Sequence, residues 1–406
     1  MKEKSNKNKK WLRFRHKIVR NLLFLILYPY SRLKYGLRVE KFKEKNKRQY
    51  LILFNHQTAF DQFFVGMTVP NTVYYVASED IFSNGWTSAL IKYLAAPIPI
   101  KKQSTDVRAV INCIKVAKEG GTIALAPEGN RTFSGRTVYI NPAIAPLAKK
   151  IGLPILFCKI EGGYGVHPRW SDKTRRGKMS VRISRVLEPE EYVSLSDCEL
   201  MDLIKTELYV DEANSRESFF SKRSAEYIER AMYVCPECGL SRFESDKDRI
   251  KCLNCSLEMK YTPEKTLVGI NREVPFKYIA DWYDYQCDFV NSLNLTPYYE
   301  SAMYEEMANV YSVELYKKKE LLCEGARVLL FGNRITLAGS NFELNMPFEE
   351  ISSISVLGKN KLNLYFGKEL YQIKGDKRFC ALKFVNIFYH WKSLNKGDKN
   401  GKFLGL

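Results

Sequence analysis

The sequence predicts an α/β domain, a mixed sheet covered by helices. A small four-cysteine module follows, then an α+β domain of antiparallel strands with a C-terminal helix. Three observations predict this. Between residues 50 and 210 short apolar runs alternate with helix-period stretches, which argues for a sheet with helices packed on it. Two Cys-x-x-Cys pairs then stand 13 residues apart. After residue 321 short alternating runs are separated by Gly-containing turns and end in a helical pattern.

At 406 residues and 45% apolar composition, two or three domains with ample core are expected. The net charge of +19 is local, because residues 1–50 hold 17 Lys or Arg against three Glu. Such a segment suits an anionic partner, either nucleic acid or a membrane surface. The interleaving of Trp11, Leu12, Phe14, Ile18, Leu22, Leu25 and Ile26 with Arg13, Arg15, Lys17 and Arg20 favours the membrane. Residues 1–36 therefore read as a basic amphipathic anchoring segment, the plainer alternative being a basic tail ahead of a core helix. The uncharged run Asn21–Tyr30 is ten residues, short of the ~20 that span a bilayer. No small-residue cleavage site follows it. The expected location is peripheral, monotopic, on the cytoplasmic face of a membrane, with no nucleic-acid partner.

The α/β domain is expected over 37–215. Tyr30–Gly36 reads as a break and Val39–Asn46 as a charged turn. Strands are expected at 50–54, 73–77, 97–100, 122–126, 154–160 and 180–186, and helices at 61–68, 86–94, 104–119, 142–150 and 197–210. In the helix over 104–119, Ser104 is the N-cap candidate. Val107, Val110, Ile111, Ile114 and Ala117 form its apolar face, and Gly120-Gly121 ends it. Tyr74, Tyr75, Trp86 and Tyr93 suit either a groove for an apolar chain or ordinary packing.

The chemistry-bearing stretch is Asn55-His56-Gln57-Thr58-Ala59-Phe60-Asp61, at a strand-to-helix turn. Wholly helical spacing would splay His56 and Asp61 about 140° apart. With His56 ahead of the helix, the Asp61 carboxylate can fold back onto the imidazole and leave its other nitrogen as a base. Alone, such a histidine is as readily a satisfied helix-start residue. The second stretch, Ala126-Pro127-Glu128-Gly129-Asn130-Arg131-Thr132, again follows a strand. Gly129 permits a close turn, and Arg131 offers a forked donor suited to phosphate. Between them, Lys101 and Lys102 end a short strand, and Leu153-Pro154-Ile155-Leu156 follows a Gly152 turn.

In this order and spacing the four stretches resemble the blocks of the glycerolipid acyltransferase family, of the lysophosphatidic acid acyltransferase type. Asn55, His56 and Asp61 match its Asn-His-x4-Asp pattern. Pro127, Glu128, Gly129 and Arg131 match its Pro-Glu-Gly-Thr-Arg-Ser pattern. Asn130 and Thr132 stand where Thr and Ser are usual, Ala126 where Phe is common, Lys102 for Arg, and Phe157 for the last Pro of the fourth block. The resemblance covers roughly residues 20–215. It implies transfer of an acyl group from a thioester of coenzyme A or acyl carrier protein to the hydroxyl of 1-acylglycerol 3-phosphate, giving phosphatidate. His56 would be the base, oriented by Asp61. Arg131, Lys102 and Lys101 would hold the acceptor phosphate. Glu128 would anchor Arg131 or the glycerol backbone, and the Gly129 amide would assist phosphate or oxyanion. Another lysophospholipid or glycerol phosphate acceptor stays open, as does a non-catalytic membrane- or protein-binding scaffold.

Residues 216–233 read as a connecting helix. Over 234–263, Cys235, Cys238, Cys252 and Cys255 resemble a zinc ribbon or rubredoxin-type knuckle. A closed four-thiolate set points to structural zinc, with iron open from the ligands alone. Two disulfides are the alternative, without a secretory signal to support them. Residues 264–320 read as an aromatic helical linker. The expected domain over 321–398 resembles a pleckstrin-homology (PH) or GRAM fold by pattern. Its Lys359, Lys361, Lys368, Lys374, Lys377 and Arg378 are candidates for anionic lipid heads or plain solvated turns.

Overall fold

In the computed structural model, residues 10–44, 48–82, 85–100, 107–137, 139–215, 217–314 and 317–396 are described. The N-terminal domain is built on seven strands: β1 (Leu37–Val39), β2 (Leu51–Phe54), β3 (Val73–Ser78), β4 (Ile98–Ile100), β5 (Thr122–Leu125), β6 (Ile155–Glu161) and β7 (Met179–Leu187). Their spatial order is β1-β7-β6-β2-β5-β3-β4. Every neighbouring pair is parallel except β6 with β7, so the sheet is mixed. All residues of β2 and β5 are buried, as strands covered on both faces require. Leu53 lies opposite Leu125 and Phe54 opposite Cys158. The loops that leave β2, β5 and β6 therefore open side by side at one edge of the sheet, where open α/β sheets form ligand crevices.

Helices α1 (Phe14–Tyr35), α2 (Asp61–Thr68), α3 (Trp86–Leu94), α4 (Val107–Lys118), α5 (Ile144–Ile151), α6 (Gly163–Val166), α7 (Pro189–Tyr192) and α8 (Asp197–Leu208) accompany this sheet. Three local expectations are corrected. First, α1 runs through Pro29 to Tyr35 instead of breaking at Tyr30. Its last turn is held by packing, because Tyr35 is buried against Phe60, Phe64 and His167. Gly36 ends it at φ +60, where a Cβ would meet the Gly177 carbonyl oxygen at 2.1 Å. Second, Leu37–Val39 pairs with β7 as a strand, so the charged turn starts later than expected. Third, α4 buries Ala109, Cys113, Val116 and Ala117, while Val107 and Ile111 are exposed. Of the expected face, Ala117 is buried and Val110 and Ile114 are half-buried. Residues 104–106 of the expected helix lie outside the described residues.

The segment 217–233 does not form the expected helix. Its one helical turn among the described residues is the 3-10 turn Ile228–Arg230. Tertiary contacts hold it instead: Phe219 fills the space over Gly165 and Gly177, where a Cβ on either glycine would lie 2.2 Å from its ring. Phe220 and Arg176 exchange backbone hydrogen bonds of 2.8 and 2.9 Å.

The cysteine module is built on β8 (Val234–Cys235), β9 (Gly239–Leu240), β10 (Phe243–Asp246), β11 (Arg249–Cys252), β12 (Glu258–Tyr261) and β13 (Leu267–Gly269), with Cys235 and Cys252 ending strands and Cys238 and Cys255 in the turns that follow. The last four form an antiparallel sheet. Helix α9 (Ile279–Ser292) packs on it: Trp282 Nε1 donates to the Val234 carbonyl at 2.8 Å, and Gln286 Oε1 accepts from the Tyr233 N–H at 2.8 Å. The expected helical linker ends there, because β14 (Tyr304–Ser312) is a strand. Its ladders to both neighbours outweigh an aromatic and acidic composition that reads poorly by itself.

Strands β14, β15 (Glu320–Leu330), β16 (Arg334–Gly339), β17 (Phe342–Pro347), β18 (Ile351–Leu357), β19 (Lys361–Phe366) and β20 (Glu369–Gly375) make one antiparallel sheet. Their order is β17-β16-β15-β14-β20-β19-β18, with α10 (Leu382–Lys396) following β20. A continuous core joins this sheet, α9, α10 and the cysteine module, and includes Phe133 and Trp170 of the N-terminal domain. Lys359 and Arg378, considered for lipid heads, are half-buried and engaged within the protein. Lys359 reaches Asp172 Oδ1 at 3.1 Å, and Arg378 pairs with buried Glu229.

Candidate active site

Strand β2 delivers Asn55 and His56 to the crevice edge. The Asn55 side chain ties the loop to β6 by donating to the Ile160 carbonyl at 2.8 Å and accepting from its N–H at 2.7 Å. Asp61 opens α2 and is fully buried. Its Oδ2 accepts from His56 Nδ1 at 2.8 Å and from the Gln57 N–H at 2.6 Å. The Thr58 N–H, at 2.9 and 3.0 Å from the two oxygens, and the Thr58 hydroxyl complete the cage. With Nδ1–H donated to Asp61, the lone pair of His56 lies on Nε2, and the side chain keeps 24% of its surface exposed.

The loop after β5 closes on the same residue. Glu128 Oε1 accepts from the His56 N–H at 2.7 Å, and the Thr132 N–H donates to the His56 carbonyl at 3.1 Å. Glu128 thus anchors the histidine backbone, and among the described residues it makes no ion pair with Arg131. Burial raises its carboxyl well above the usual range, and the Asp61 charge raises it further. Gly129 adopts φ +71, and its N–H donates to the Ala126 carbonyl at 3.0 Å. Its contribution here is the turn itself. Arg131 is buried, and its Nη1 has no hydrogen-bond partner among the described residues. Burial lowers its pKa to about 10, against the favourable pull of Asp61. Such a donor is costly unless something accepts from it.

Strand β4 ends at Ile100, and Lys101 and Lys102 lie outside the described residues. Tyr74 is buried against His16, its hydroxyl 3.1 Å from Nδ1, whereas Trp86 and Tyr93 are exposed on α3. The aromatic set considered for one groove is thus divided. Gln57 carries a task not anticipated from sequence, since its Oε1 accepts from the Tyr164 N–H at 3.0 Å. So does Glu212, whose Oε1 accepts from the Gly162 N–H at 2.7 Å and whose pKa burial raises to about 7. The Thr58-to-Asp61 spacing was a readable signal for the cage. Glu212 has none, because its partner is 50 residues away.

At the second site the Sγ atoms of Cys235, Cys238, Cys252 and Cys255 all lie within 4.8 Å of one another. Cys235 to Cys255 is 3.7 Å and Cys238 to Cys252 is 3.6 Å. Four sulfurs bound tetrahedrally at ~2.3 Å would stand about 3.8 Å apart, so the group fits one metal ion. All four thiols are free of disulfides. Ser241 Oγ, 3.0 Å from Cys252 Sγ and 3.5 Å from Cys238 Sγ, supplies a hydroxyl beside the cluster.

Residues 37–161 match the family model described as Acyltransferase. Over 147 residues, 36% of this chain and 70% of the relative, the sequence is 22% identical to the 1-acyl-sn-glycerol-3-phosphate acyltransferase of Bacillus subtilis (strain 168). Among solved structures, the 1-acyl-sn-glycerophosphate (LPA) acyltransferase PlsC from Thermotoga maritima is similar. It is 24% identical, with 48% of this chain and 80% of that chain covered, at a TM-score of 0.40. The N-terminal α/β domain of this chain is thus similar to acyltransferases, and the match lies within that domain.

Proposed function

We propose that this acyltransferase moves a fatty acyl group from a thioester of coenzyme A or acyl carrier protein to the free hydroxyl of 1-acylglycerol 3-phosphate, yielding phosphatidate. The observation that carries the reading is the His56–Asp61 pair, 2.8 Å apart, beside a buried arginine with a donor that is unpartnered among the described residues. An alcohol is a weak nucleophile at neutral pH and needs its proton removed during attack. His56 Nε2 takes that proton as the hydroxyl oxygen bonds to the thioester carbonyl carbon. Asp61 stabilises the imidazolium that results. Collapse of the tetrahedral intermediate breaks the carbon–sulfur bond, and the imidazolium returns its proton to the thiolate. Arg131 donates to the acceptor phosphate, with Lys101 and Lys102 as further cations. The test compares 1-acylglycerol 3-phosphate with the corresponding monoacylglycerol. A strong preference for the phosphorylated acceptor is expected, and equal use of both would remove the phosphate assignment.

Helix α1 acts as a membrane-surface anchor in this reading. Among the described residues no helix is long and apolar enough to cross a membrane. Yet Phe14, Leu22, Leu25, Ile26 and Leu33 on α1 are exposed. His16 and Arg20 hold the helix to the domain, Arg20 donating to the Val69 carbonyl at 2.9 Å. Replacing Leu22, Leu25 and Ile26 with Ser removes apolar surface worth about 1.5–3 kcal/mol per fully inserted side chain. Vesicle partitioning, read by co-sedimentation with anionic liposomes, is expected to fall at least tenfold with the melting temperature unchanged. Unchanged partitioning would remove the anchoring role.

Cys235, Cys238, Cys252 and Cys255 would hold a structural zinc ion, which would supply cross-linking and not chemistry, because four thiolate ligands would leave no coordination position for substrate. The strand order β17-β16-β15-β14-β20-β19-β18 followed by α10 supports reading the last domain as PH/GRAM-like.

A further inference from the structure

One side chain joins the acyltransferase site to the C-terminal β-domain. Arg169, in the loop after α6, is 2% exposed. Its Nη1 donates to the Arg131 carbonyl at 2.8 Å, its Nη2 to the Val356 carbonyl at 3.0 Å and its Nε to the Gly358 carbonyl at 2.9 Å. The guanidinium lies over the Phe133 ring, 4.2 Å from its centroid. Val356 is the next-to-last residue of β18, and Gly358, at φ +64, makes the turn into β19. Next to Arg131, the Thr132 N–H donates to the His56 carbonyl at 3.1 Å. Hydrogen bonds in series thus run from the β18–β19 turn through Arg169 and the Arg131–Thr132 peptide to the His56 backbone.

The Arg169 loop is tied twice more. Lys359, on the same β18–β19 turn, donates to Asp172 Oδ1 at 3.1 Å and to the Ser171 carbonyl. Arg230, 1% exposed, donates to the Trp170 carbonyl at 2.8 Å, to Asp172 Oδ1 at 2.8 Å and to the Lys377 carbonyl at 2.7 Å. Among the described residues no carboxylate is hydrogen-bonded to Arg169, and its three acceptors are neutral carbonyls. An apolar side chain could fill this space without burying a cation that lacks a counter-charge. A rigid planar fork does what an apolar group cannot, holding three separate chain segments at fixed angles.

We propose that Arg169 is a positioning residue for acyl transfer, through which the β18–β19 turn of the C-terminal domain holds the Arg131 loop in register with His56. The chemical consequence rests on the function proposed above. Once the Arg131 carbonyl is released, the buried guanidinium of that residue no longer faces the acceptor phosphate at a fixed distance from the base. The thioester, bound elsewhere in the crevice, is little affected.

Arg169→Lys keeps a cation but loses the planar fork. With the full chain, the KM for 1-acylglycerol 3-phosphate is expected to rise at least tenfold while the KM for the thioester stays within twofold. Hydrogen–deuterium exchange over residues 127–135 is expected to quicken at least threefold, with residues 361–375 unchanged. A lower melting temperature with both KM values and the exchange pattern preserved would overturn the positioning role. Lys359→Ala, which removes the neighbouring tether, is expected to change both readouts in the same direction by a smaller factor. It is the deciding variant if Arg169→Lys does not fold, and no change in either readout overturns the proposal. Absence of transfer by the wild type would count against the proposed function alone. The exchange comparison then decides the coupling, and equal exchange over 127–135 overturns it.

Discussion

His56→Ala is expected to lower acyl transfer by about 10³-fold or more, with the melting temperature within a few degrees of wild type. A positioned general base contributes roughly 10²–10⁴ in rate, and here the same imidazole also returns the proton to the leaving thiolate. The fold survives because the loop is held by its backbone: Glu128 accepts the residue-56 N–H at 2.7 Å and Thr132 donates to its carbonyl at 3.1 Å, whatever the side chain. Asp61→Asn is the instructive companion. Its amide can donate to Nδ1 and favour the tautomer with the proton on Nε2, which cannot act as a base. Turnover by His56→Ala within tenfold of wild type would remove the base assignment.

Cys252→Ser is expected to abolish stoichiometric zinc binding and to lower stability by about 3 kcal/mol or more, within the range in which structural zinc contributes outright to folding. Cys252 ends β11 and is fully buried. The effect should reach beyond the ribbon. Trp282 and Gln286 of α9 are bonded to Val234 and Tyr233 beside the first cysteine pair, and the module shares its core with the β-domain. Metal analysis and thermal melting on the same sample check this. Wild-type protein containing no metal and melting as Cys252→Ser does would rule out the structural zinc. One equivalent of iron in the wild type would keep the cross-link and replace the ion.

The N-terminal domain was legible where local pattern and tertiary need coincide. The apolar run 50–54 and the run over 122–126 are buried strands, and the motifs behind them meet because β2 and β5 are parallel neighbours. The two knuckles were legible because metal spacing is a local constraint. Long-range partners decided the rest. The strand Tyr304–Ser312 pairs with β15 and β20, whose residues come later in the chain. The stretch 216–233 suggests a helix by charge, but Phe219 and the backbone of Phe220 are claimed by the N-terminal domain. Val107 and Ile111 have helical spacing yet face outward, because periodicity does not say which row meets the sheet. Lys359 sits in a Gly-containing turn that reads as solvated, and only docking of that turn onto Asp172 gives it a place. Arg169 has no motif at all, since its acceptors come from residues 131, 356 and 358.

The most direct test of acyl transfer is to supply purified protein, in vesicles, with an isotopically labelled acyl thioester and 1-acylglycerol 3-phosphate, and to identify the labelled lipid by mass spectrometry. Labelled phosphatidate and one free thiol per acyl group transferred are expected, with neither formed by His56→Ala. An intact thioester and no labelled lipid, with this acceptor and with every other lysophospholipid or glycerol phosphate offered, would contradict the account and leave a binding scaffold as the better reading.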